Sequence, residues 1–156
     1  MSVYGSPGSA LHMIMEFVIF AWIGAIIMFT VTVSPTVFEV LDAQDAGRFL
    51  RAYFPRLFRI EMGVGGVVFA LSLYALIISA PSAWLGMLIG AVVSVLAGIN
   101  LFRVMPAVNT VADAMADSPS PETKKRFGLL HGLSVGLFGV NALMLIACAV
   151  LVEFSI

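Results

Sequence analysis

His12 and Glu16 stand four residues apart in an apolar run near the start of the chain. On a helix that spacing puts an imidazole and a carboxylate on one face. Such a pair suits a divalent metal ion. It also suits a proton relay, or a solvated or protonated structural pair. Two ligands are too few for a closed metal site, and Met13 and Met15 add only soft sulfur donors. The redox form of this reading puts haem or copper on His12, with Glu16 tuning it. No Lys or Arg precedes Arg48. Glu16 must therefore face water, hold a proton, pair with a His12 imidazolium or meet a cation.

A second polar group is spread over three apolar segments. It comprises Arg59 and Glu61, then Asn100, Arg103 and Asn109, then His131, Ser134 and Asn141. The series His131, Ser134, Phe138, Asn141, Leu145, Cys148 alternates by three and four residues, so it forms one helical stripe. In lipid such a stripe faces the bundle interior. One reading is structural. The arginines then snorkel to headgroups, and His131 and Asn141 are hydrogen-bonding glue between helices. The functional reading is a cationic vestibule that takes an anionic or metal-complexed ligand on all eight of these residues. Enzyme signatures such as H-E-x-x-H, C-x-x-C or a Walker run do not occur. Ser134 and His131 on adjacent turns do not make a triad without a third partner and an oxyanion hole.

The elements that position these groups follow from composition. The 156 residues are 61% hydrophobic and 11% charged, with mean hydropathy +1.07. Soluble domains carry about 25% charged residues, so lipid is the solvent here. Runs long enough to cross lie at approximately Ala10–Val33, Phe58–Ile78, Trp84–Met105 and Phe127–Val152. Each reaches the ~20 residues that a hydrocarbon core requires. The first is too long for a signal peptide core and lacks a basic start, so it reads as a retained helix. The fold expected is an all-α, single-domain, four-helix membrane bundle.

All eight Lys and Arg lie in or beside the first and third connections. The positive-inside rule puts those connections in the cytoplasm and both termini on the other side, as in a bacterial inner membrane. The basic residues are few and sit at membrane edges, which gives no support for nucleic-acid binding. Within the first connection, Ala46, Phe49, Leu50, Tyr53, Phe54 and Leu57 recur at helical spacing opposite Arg48 and Arg51. This predicts an amphipathic interfacial helix, with Pro35 and Pro55 marking its ends. The third helix is expected to run on through Val108, Val111, Ala112 and Met115. Ser120 then caps the fourth, with Pro121 at its first position. Gly86, Gly90, Ser94 and Gly98, and likewise Gly128, Gly132 and Gly136, are spaced four apart, while Gly63, Gly65 and Gly66 open helix two. Such residues let helices approach closely, within one bundle or across a homo-oligomer seam. Cys148, the single cysteine, has no partner for an internal disulfide.

Several of these segments resemble a known family. The run Phe127-Gly-Leu-Leu-His131-Gly-Leu-Ser134, with Asn141 following, is similar to the C-terminal signature of transmembrane protein 205 and its relatives. Those proteins share the domain of unknown function numbered 4149. Val33-Ser-Pro35-Thr-Val-Phe38, Ala46-Gly47-Arg48 and Tyr53-Phe54-Pro55 resemble its first cytoplasmic loop, and Asn100 with Pro106 the end of its third helix. The resemblance implies a four-helix membrane protein without a settled activity. In helix one, Leu11-His12 and Trp22-Ile-Gly24 are similar to the opening of copper-resistance D and HemJ-type proteins. That likeness implies a haem or metal site at His12. Three functions remain open: binding or moving a small ligand or metal complex, redox chemistry at His12, and service as an accessory subunit of a larger membrane complex.

Overall fold

The structure is a computed structural model that describes residues 7–78 and 81–151. Four long helices account for nearly all of it. α1 is one rod in three segments: α-helical Pro7–Met28, a π-helical turn Phe29–Val33, and α-helical Ser34–Val40. α2 is Ala43–Ile77. α3 repeats the pattern of α1, with Ala83–Ile99, a π turn Asn100–Val104, and Met105–Asp117. α4 is Pro121–Leu151. Each contains an apolar window long enough to cross a membrane, and less than half of each window is buried within the chain. The outward faces carry Phe17, Val31, Ile77, Leu143 and Val150, all largely exposed. Such surface belongs against lipid. Ser79 and Ala80 of the second connection, and Val152 at the end of the fourth apolar run, lie outside the described residues.

The two π turns have a common cause. Proline has no N–H, and its ring clashes with the carbonyl four residues back. Pro35 and Pro106 each stand two residues beyond a π turn. The residue just before each proline bonds five residues back rather than four: Ser34 N–H to Phe29 O, and Met105 N–H to Asn100 O. The widened turn absorbs the misfit, and both helices continue. Pro35 therefore lies inside α1 and does not end a helix.

Pro55 likewise lies inside α2. One residue beyond it, the Arg56 guanidinium folds back onto Ala52 O at 2.5 Å. The expected interfacial helix is thus the first half of a 35-residue rod. Its apolar face turns inward. Ala46 and Leu57 are buried, and Tyr53 stacks on Phe29 of α1 at 4.7 Å between ring centroids. The connection before α2 is only Leu41–Asp42, and Asp42 caps the helix by accepting from Asp45 N–H at 2.8 Å. Ser120 caps α4 as its sequence predicts, accepting from Thr123 N–H at 3.1 Å.

α2 and α3 form the tightest pair. A Cβ added at Gly90 would lie 2.4 Å from Phe69 N, and one at Gly65 2.6 Å from Ser94 Oγ. Only hydrogen fits at either crossing point. Ser94 then donates to Met62 O across the pair at 3.1 Å. The α4 glycines behave differently. A Cβ at Gly128, Gly132 or Gly136 would meet nothing within 4 Å, so this stripe plays no part in packing the single chain. Met15, Ile19, Trp22, Val68, Val93 and Leu145 fill the centre among the four helices.

Candidate functional site

The π turn of α3 aims Asn100 at α4. Its amide donates to Ser134 O at 3.0 Å, and Ser134 Oγ donates to Asn100 Oδ1 at 2.8 Å. The same hydroxyl lies 3.8 Å from Met105 Sδ. Asn100 is sealed and Ser134 nearly so. This reciprocal pair ties α3 to α4, and its polar atoms are spent on each other.

A chain of aromatic rings joins three helices beside that clamp. It runs from Phe49 to Tyr53, to Phe29, to Phe54, to Phe58, to Phe138 and on to Trp22. Centroid separations of 4.7–6.4 Å are those of stacked and edge-to-face contacts. The ladder descends from the arginine-bearing end of the bundle toward its middle.

Between this ladder and the α3–α4 clamp lies a cavity of about 740 Å³. It opens at the arginine-bearing end, among the first halves of α2 and α4 and the last half of α3. Phe54, Phe58, Phe127, Phe138, Met105 and Met115 give it an apolar wall. Gln44, Asn109, His131 and the edge of Ser134 supply polar groups. The His131 ring stacks on Phe127, with centroids 5.7 Å apart and planes 7° from parallel. Two arginines reach the cavity, and both have acid partners. Arg51 Nη2 lies 2.6 Å from Asp113 Oδ1 across the mouth, and Arg48 pairs with Asp45.

The eight inner residues singled out in the sequence therefore separate into three groups. Asn109, His131 and Ser134 line the cavity. Glu61, Asn100 and Asn141 are wholly buried beside or beneath it. Arg59 and Arg103 are exposed and contribute nothing to the cavity wall. Arg48 and Arg51 stand in their place. The hydropathy pattern marks all these arginines alike as membrane-edge residues. Which of them turns inward depends on how α2 and α3 are rotated in the bundle.

The outer pair is present as its spacing implies. His12 Nε2 lies 3.4 Å from Glu16 Oε1, with both side chains partly exposed. Among the described residues, no group of three or more His, Cys, Asp or Glu gathers to hold a metal ion.

One motif is present that the expected absence of enzyme signatures wrongly included. Gly132-Leu-Ser134-Val-Gly136 has the G-x-S-x-G spacing of a hydrolase nucleophile. That chemistry needs the serine on a sharp strand-to-helix turn. Here the run is mid-helix in α4, and Ser134 already donates to Asn100. It has no nucleophile's geometry.

Residues 17–117 match the model of a family described as a domain of unknown function, DUF4149. The match covers more than half of the chain. The chain belongs to the DUF4149 family. Within this member the matched region holds the last three quarters of α1 and all of α2 and α3, with both π turns. The His131 signature and the His12–Glu16 pair lie outside it. No curated protein and no solved structure matches this DUF4149 chain.

Proposed function

We propose that this chain binds or moves a small, largely apolar organic ligand with a neutral polar group, held in the cavity at its arginine-bearing end. The observation that carries the reading is the cavity itself. Its volume of about 740 Å³ lies within the range of small-molecule sites, about 300–1,000 Å³. An aromatic wall with a few convergent polar groups is the usual lining of such sites. The acid partners of Arg48 and Arg51 argue for a neutral ligand over a simple anion. A metal complex would find the His131 imidazole and the Met105 and Met115 thioethers on the same wall.

The positive-inside rule supports a cytoplasmic mouth for the cavity and termini on the opposite side, in a bacterial inner membrane. The resemblance of Phe127–Ser134 to transmembrane protein 205 falls on this same wall. A photoreactive amino acid tests the site in living cells. Installed at Val135, on the cavity wall, it is expected to capture a discrete small molecule. At Leu143, on the lipid face, it is expected to capture only phospholipid. The same phospholipid adducts at both positions would overturn the proposal.

A further inference from the structure

Glu61 is fully buried, and neither of its carboxyl oxygens makes a well-formed hydrogen bond. The Asn141 carboxamide, equally buried, lies within reach of it. Asn141 Nδ2 points to Val93 O at 3.4 Å, while its Oδ1 is also without a partner. Both Glu61 carboxyl oxygens and Asn141 Oδ1 are thus buried without a well-formed hydrogen bond. An ionised, unpaired carboxylate is strongly disfavoured in such a place. A single proton on Glu61 resolves the arrangement. The carboxylic acid is neutral, and its carbonyl oxygen still accepts from the Asn141 amide.

Among the described residues no cation compensates Glu61, and the other buried polar atoms without a partner in this core are Trp22 Nε1 on α1 and Ser72 Oγ on α2. None of the ion pairs among the described residues involves Glu61. On its own helix, Arg56 and Arg59 are exposed. On α3, Arg103 is exposed, and the inward polar groups are Ser94 and Asn100, bonded to Met62 and Ser134. On α4, His131 stands on the cavity wall, and Cys148 lies two turns beyond Asn141. On α1, His12 and Glu16 pair near the opposite end.

The position of the site relative to the cavity is informative. Phe58 and Phe138 meet edge to face at 5.9 Å and line the inner end of the cavity. Glu61 follows Phe58 by three residues, and Asn141 follows Phe138 by three. Each lies about 4.5 Å deeper along its helix. The ring pair therefore lies between the depth of the carboxyl and the cavity.

We propose that Glu61 and Asn141 form a proton-binding site, in which Glu61 carries a proton while the Phe58–Phe138 contact is closed and passes it to cavity water when that contact opens. Water takes the proton as hydronium and solvates the carboxylate that remains. The cavity serves here only as a route for water, so the inference holds whether or not it also takes a ligand.

Infrared spectroscopy of the full chain in lipid, with carbon-13 glutamate, tests this. At neutral pH the wild type is expected to show the isotope-shifted carbonyl band of a protonated glutamic acid. Glu61→Gln should lose that band. If this variant does not fold, Glu61→Asp serves, since it removes the labelled glutamate but keeps a carboxyl. Phe138→Ala or Phe58→Ala should convert the band to carboxylate at the same pH. A wild type with no band dependent on Glu61 would overturn the proposal. So would a carboxylate signal that responds to replacing sodium by choline, because that marks a cation site. A band unchanged in both phenylalanine variants would overturn the role of the ring contact.

Discussion

Asn100 and Ser134 carry the most specific polar contact between α3 and α4, and its worth is measurable. Interhelical hydrogen bonds in lipid contribute modestly, because the unfolded helices also find partners. A double-mutant cycle on Asn100→Ala and Ser134→Ala is expected to give a coupling of about 0.5–1.5 kcal/mol in reversible unfolding. Additive losses would mean that the two side chains act separately. The α4 stripe is legible from its three-four alternation, and Ser134 and Asn141 face inward as that alternation requires. The sequence does not show that Asn100 and Ser134 satisfy each other. Nor does it show that Arg51 finds Asp113, sixty-two residues away. Pairing of that kind is set by how helices are rotated in the bundle, which no local period encodes.

At the scale of the helix, the prolines decide more than their count implies. Pro106 forces the π turn that begins at Asn100. Pro106→Ala is expected to let α3 relax to a regular α-helix, turning Asn100 away from Ser134. Asn100→Ala would then cost little in the Pro106→Ala background, although it destabilises the wild type. An equal cost in both backgrounds would show that the π turn does not orient Asn100. Four apolar helices and the cap at Ser120 are plain from hydropathy and local chemistry. Continuity through Pro35, Pro55 and Pro106 is not, because proline reads locally as a stop, and only the surrounding packing keeps each rod intact. The glycines teach the same lesson. Gly90 and Gly132 belong to identical spacing patterns, yet only Gly90 sits at a helix crossing. Gly90→Ala should destabilise by about 1–3 kcal/mol through overpacking. Gly132→Ala should be neutral or slightly stabilising, since alanine favours helix. Thermal unfolding in a mild detergent compares the two, and equal effects would contradict the α2–α3 crossing.

The whole molecule is an all-helical membrane bundle with its polar interest concentrated toward one end. Its insertion is checked with single cysteines in a Cys148→Ala background. A membrane-impermeant maleimide applied to intact cells should label Ser82→Cys and not Ser118→Cys. The reverse pattern would invert the proposed orientation. Hydropathy and charge bias foretell the bundle, but a cavity is a shape left between helices. Beside it the first half of α2 lays Tyr53 and Phe54 against Phe29 of α1. The most direct measurement of the central claim is native mass spectrometry of the chain released from mild detergent. Wild type is expected to retain one bound small molecule, and Ala112→Trp, which fills the cavity, to lose it while remaining folded. A wild type that carries nothing, or a variant that retains the same mass equally well, would contradict ligand binding in this cavity.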